Sequence, residues 1–201
     1  MLPSQPASID VDITIIKGLN DSLLTPDMSV ISAGSPTSNA LMPVLSVIDR
    51  AFGVNPVIIT TIHFAMNDQP VIDAHHHTEL RKTRAAFNSV ISVETGLAQG
   101  VERFFPHRSD KISARAPRVP TLNGSSLYDF DGVLEVNFEP LASCDFLGAE
   151  ASSIVDTTQT QVSNDRLIKL MIWFDNEWAF VNRMVDIVLR LSDFVAEESS
   201  S

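Results

Sequence analysis

The stretch SAGSPTSNALMPVLSVIDRAFG, residues 32 to 53, carries every signal of a helix with both ends marked. Ser35 is a capping residue and Pro36 suits the first helical position, where a backbone N–H has no partner to lose. Leu41, Val44, Leu45, Ile48 and Phe52 then recur at helical spacing, and Gly53 stands just past the end. The spacing predicts a helix with one buried stripe, so the question is what that stripe packs against.

The flanks answer with strands. VDITIIK, Val11 to Lys17, reads as a short strand closed by the turn Gly18-Leu19-Asn20-Asp21, and VIITTIHF, Val57 to Phe64, is β-branched and strand-like. From Ala65 to Asn88 the chain is polar and histidine-bearing with little period, which predicts a long ordered loop of the functional or interface-forming kind. KISARAPRV, GVLEVNF, SSIVDTTQTQV and RLIKLMIWF read as further strands. The last is apolar on both faces from Leu170 to Phe174 and is expected to be central and covered on both sides. A closing helix follows Asp175, its stripe running through Val181, Met184 or Val185, Val188 and Leu191. These elements predict an α+β domain with helices on one face of a mixed, largely antiparallel sheet.

Composition bounds the function. The chain has 201 residues, 44% of them hydrophobic, enough for a real core. Lys and Arg total 14 against 25 Asp and Glu, a net charge of −11, so nucleic acid would meet repulsion. No apolar run is long enough to cross a bilayer, and MLPSQPASIDVDI lacks the pattern of a secretory signal. A cytoplasmic protein is expected. A single cysteine, Cys144, excludes an internal disulfide, and it reads as a buried small hydrophobe with no basic neighbour to activate it.

The glycines, at 18, 34, 53, 96, 100, 124, 132 and 148, make neither a dinucleotide fingerprint nor a phosphate loop. His75, His76 and His77 are adjacent, so they point in different directions, and no metal site is expected. Taken alone, His63 reads first as a partly buried, hydrogen-bonded histidine at the end of an apolar strand, and second as a general base.

Several long segments together resemble the catalytic domain of the glyceraldehyde-3-phosphate dehydrogenase family. They are TTIHFAMNDQPVIDAHH, RKTRAAFNSVISVETGLAQGVERFFP, PRVPTLN, CDFLG, SSIVDTTQTQVS and IWFDNEWAFVNRMVD, in the family's order and at near-family spacing. AMNDQ and RFFP are similar to the erythrose-4-phosphate dehydrogenase branch in particular. The resemblance runs from Asp12 to Phe194 and implies a phosphorylated-aldehyde oxidation. In that reaction a cysteine thiolate adds to the carbonyl, a histidine assists proton transfer and hydride passes to NAD.

The resemblance places His63 on the catalytic histidine, Thr95 and Arg118 on phosphate-binding positions and Asn176 on the residue that binds the nicotinamide amide. NAD is thus implied as cofactor by resemblance only. Residues 65–88 fall on the subunit-contacting loop. The implied domains are a flexible segment 1–10, a catalytic-type domain 11–194 and a flexible tail 195–201.

The departures are as specific. The family's nucleophile lies in a Ser-Cys-Thr-Thr-Asn run, and here Ser35-Pro36-Thr37-Ser38-Asn39 puts Pro36 in its place. Ser35 is then expected to cap the helix rather than react. The family's nucleotide-binding half is not seen ahead of this domain. LYDFD stands between PTLNGSS and GVLEVNF, where the family has a further strand and helix. Pro117 lies inside the strand that carries Arg118, which suggests a sheet edge.

The expected function is therefore that of a catalytically silent relative, acting in assembly or in binding a phosphorylated metabolite. Its contacts would run through the 65–88 loop and the C-terminal helix, to itself or to an active family member. The alternative is the catalytic half of an NAD-dependent dehydrogenase whose nucleotide domain lies on another chain.

Overall fold

The computed structural model describes residues 1–3, 11–53, 57–64, 70, 72–75, 80–85, 91–93, 96–106, 112–119, 132–163 and 167–198. The chain divides into two compact units, Met1–Phe52 with Asn123–Ser201, and Gly53–Leu122.

In the first unit, β1 (Ile13–Thr14) pairs in parallel with β2 (Ile31–Ser32). Asn20 closes the turn between them, accepting the Ile16 N–H at 2.8 Å and donating to the Thr14 carbonyl at 2.9 Å. The long helix α1 (Pro36–Phe52) follows, with Gly53 beyond its end at φ 68°, a left-handed cap that glycine adopts without strain. Its stripe is buried at Leu41, Met42, Val44 and Leu45. Each such side chain removed from water contributes about 1.5–3 kcal/mol.

A second sheet has the order β7 (Leu134–Asn137), β8 (Ser153–Ser163), β9 (Leu167–Trp173), with β7–β8 parallel and β8–β9 antiparallel. Among the described residues β9, expected to be central, pairs with β8 alone and is half-buried from Leu170 to Trp173, and β8 is the strand with two partners. An apolar run shows what a strand can bury, not how many neighbours it pairs with.

The register of β8 on β9 shifts between Asp156 and Gln161. Asp156 sits at that irregularity, buried, and its carboxylate accepts the Thr158 N–H at 2.9 Å, the Thr158 hydroxyl at 2.6 Å and the Trp173 indole N–H at 3.0 Å. A bulge leaves backbone donors without ladder partners, and a buried carboxylate supplies acceptors for them.

The closing helix α3 (Trp178–Glu198) buries Ala179, Phe180, Arg183 and Ile187 and rests Met184, Leu191 and Phe194 against the core of Ile15, Leu24, Ile31 and Ala33. The expected stripe is thus split. Met184 and Leu191 face the core, whereas Val181, Val185 and Val188 are about half exposed. Arg183 explains the rotation: its guanidinium is held by Asp186 at 2.8 Å, the Gly132 carbonyl and the Ser152 hydroxyl. An arginine so satisfied can occupy a core position that a hydrophobic pattern would not give it.

In the second unit β6 (Ile112–Val119) is central. It pairs in parallel with β3 (Val57–Thr60) and β4 (His63–Phe64) and antiparallel with β5 (Ile91–Val93). Helix α2 (Leu97–Phe104) and the residue after it bury Leu97, Val101 and Phe105 at four-residue spacing.

The fold is α+β with sheets of mixed orientation, as expected, although four of the six described pairings are parallel, which shifts the balance away from largely antiparallel. The segment LYDFD lies outside the described residues. No described helix is long and apolar enough to cross a membrane.

Candidate functional site

The start of α1 is built by its own residues. Ser35 Oγ accepts the Ser38 N–H at 3.0 Å and shares a hydrogen bond with the Ser38 hydroxyl at 2.8 Å, so Ser35 is the cap and Pro36 the first helical residue. Gly34 precedes them at φ 68°, and a Cβ there would come within 3.1 Å of Ile16 Cδ1, so both conformation and space favour glycine.

The buried Asn39 carboxamide donates to the Ala33 carbonyl at 2.7 Å and to the Ser35 carbonyl at 2.9 Å, tying the first turn to the chain that enters it. The turn is thus rigid and its backbone donors point to one end, the setting that lowers the pKa of a thiol. Pro36, half-buried at that spot, has no atom that can ionise or attack.

The oxygen of Ser35 already serves as the cap, and an alcohol needs an adjacent base to become a nucleophile. Cys144 is exposed, on the 3-10 turn Ser143–Phe146, which corrects the expectation of a buried small hydrophobe. The sequence pattern missed this because the turn holds Phe146 inside and leaves Cys144 and Asp145 exposed.

His63 begins β4, half-buried, and its register partner on β6 is Arg118, whose partner on the other side is Ile91 of β5. The parallel ladder to β6 is continuous from Val57 to Thr60, lapses at Thr61 and Ile62, and resumes at His63 in the same register. The lapse falls opposite Ala116 and Pro117. Proline cannot donate to a ladder, so a break there lets it occupy a central strand and corrects the expectation of a sheet edge.

Asn176 lies half-buried in the turn between β9 and α3. That turn is organised by Asp175, whose carboxylate accepts the N–H groups of Glu177 at 2.8 Å and Trp178 at 2.7 Å and, through its other oxygen, that of Gly148 at 3.1 Å. Asp175 is a helix cap that also fixes the preceding loop, so the position of Asn176 is set by its neighbour. An aspartate directly before an apolar-periodic run was the available signal. The glycine spacing in the sequence matches neither a dinucleotide fingerprint nor a phosphate loop.

The structure thus brings His63 and Arg118 to one rung of the second unit and places Pro36 and Asn176 on separate elements of the first. Thr95 lies outside the described residues, as do His76 and His77. Among the described residues, no three side chains of the histidine, cysteine or acidic kind gather as a metal would need.

Comparison with known families gives one match. The family described as glyceraldehyde 3-phosphate dehydrogenase, C-terminal domain, matches residues 35–130 and 125–176. The match opens at the capping serine of α1 and extends into the turn that carries Asn176, and together its two stretches span well over half of the chain.

Proposed function

Because the chain belongs to the glyceraldehyde 3-phosphate dehydrogenase family through its C-terminal domain, we propose that it is a catalytically silent relative of a phosphorylated-aldehyde dehydrogenase. Its role would be assembly or the binding of a phosphorylated metabolite, with AMNDQ and RFFP favouring the erythrose-4-phosphate branch. The observation that carries the proposal is Pro36 at the first position of α1.

Aldehyde oxidation of this kind needs a thiolate lone pair to form the bond to the carbonyl carbon before hydride can leave. Without that adduct, a histidine base at position 63 has no proton transfer to assist. Retention of His63, Arg118 and Asn176 supports a binding role and also keeps a second reading in view: the catalytic half of an NAD-dependent enzyme whose nucleotide domain lies on another chain. That reading needs a nucleophile from elsewhere as well.

Assembly draws support from α3, where Trp178, Val181, Val185 and Val188 are each about half exposed along one side. Exposed apolar side chains grouped in this way mark interaction surfaces. The 65–88 segment is the other proposed contact.

The test is NADH formation by the purified chain with erythrose 4-phosphate or glyceraldehyde 3-phosphate. The proposal predicts none. Turnover that His63→Ala abolishes would contradict it.

A further inference from the structure

Pro43 interrupts α1 from within. Its ring nitrogen carries no hydrogen, so the Asn39 carbonyl, which position 43 would ordinarily satisfy, loses its helix donor. That carbonyl is buried, with Asn39 1% exposed, and an unsatisfied acceptor there would cost the full desolvation penalty.

The donor comes from another element. Ser153 opens β8, is 0% exposed, and its backbone N–H is fixed to the Val133 carbonyl at 2.8 Å. From that fixed position its hydroxyl hydrogen-bonds the Ala40 carbonyl, the nearer acceptor, and lies 3.3 Å from the Asn39 carbonyl oxygen. One hydroxyl proton is shared between two adjacent helix carbonyls, across a sequence separation of more than a hundred residues.

The geometry points to a latch in which the Ser153 hydroxyl replaces the backbone donor that Pro43 removes, fixing α1 to β8. The latch acts close to the residue that organises the helix start, since the Asn39 side chain holds the Ala33 and Ser35 carbonyls while its own carbonyl is held by Ser153. A serine in the strand and a proline in the helix are therefore one device. It stands independently of the proposed function, because it rests on the hydrogen bonds of the first unit alone.

A double-mutant cycle tests it, read by urea unfolding followed through tryptophan fluorescence. Both tryptophans, Trp173 and Trp178, belong to the unit that holds the latch. Ser153→Ala should lower the folding equilibrium constant by about tenfold or more, the effect of stranding a buried acceptor. Pro43→Ala restores the helix N–H, and in that background Ser153→Ala should cost about threefold or less.

The packing change caused by Pro43→Ala itself cancels in the comparison. Equal losses in the two backgrounds would overturn the latch. If Ser153→Ala alone does not fold, recovery of folding in the Pro43→Ala/Ser153→Ala protein supports the latch, and failure to recover overturns it.

Discussion

His63 and Arg118, far apart in sequence, are direct register partners in the parallel ladder between β4 and β6. Neighbouring strands lie about 4.8 Å apart, so the topology alone makes these two positions adjacent. A phosphate-binding role at position 118, as the family resemblance implies, would therefore fall on the same backbone rung as His63.

If Arg118 anchors a phosphate, erythrose 4-phosphate should raise the melting temperature of the protein, and Arg118→Ala should weaken that binding by about tenfold or more through loss of charge-assisted hydrogen bonds. His63→Asn should leave it within about twofold. Thermal shift across a ligand titration measures both. Equal affinity in the wild type and Arg118→Ala would remove Arg118 from the site.

The cap of α1 predicts a smaller, local effect. Ser35→Ala removes the acceptor of the Ser38 N–H and should destabilise the first unit by about 1 kcal/mol, whereas Ser35→Asp should retain most of the stability. Urea unfolding read by tryptophan fluorescence distinguishes the two. A neutral alanine substitution would mean that the Ser35 hydroxyl does not stabilise the helix start.

Asp156 predicts how stability changes in acid. Burial raises its pKa, but the hydrogen bonds from Thr158, Trp173 and the following backbone outweigh that and leave it below the ordinary value of 3.8. A depressed folded pKa means stability that is fully present above 3.8 and is lost as the pH falls from there through the folded value. Asp156→Asn should lower stability near neutral pH and remove this part of the acid dependence. Melting temperatures across a pH series check it, and identical acid profiles in both proteins would assign the loss to other groups.

What the sequence made legible was what local chemistry determines. The helix of Pro36 to Phe52 was readable because its cap, its first-turn proline, its apolar stripe and its closing glycine all lie within its own span. The gap at Thr61 and Ile62 was not, because it falls opposite Ala116 and Pro117, far away in sequence on the partner strand. Helix α2 was missed because it is short and carries Gly100, although Leu97, Val101 and Phe105 keep helical spacing. On α3 the buried face was misplaced because Arg183, which hydrophobicity assigns to solvent, is satisfied inside.

For the site, the assignment of His63 as a base and of Asn176 as a ligand rests on the family resemblance alone. Local pattern made His63 only a histidine at a strand end. Ser153 acts through contacts with distant residues and left no pattern in the chain, whereas Asp175 left only the local signal of a helix cap.

The central claim is that α1 begins at the family's nucleophile position with the scaffold kept and the thiol gone. The most direct measurement is the pH dependence of alkylation of Pro36→Cys in a Cys144→Ser background, where the introduced cysteine is the only one. The first turn should lower its pKa clearly below the ordinary value of about 8.5, making it react faster near neutral pH than Cys144 does in the wild type. A thiol at position 36 that titrates and reacts like an ordinary exposed cysteine would contradict the claim.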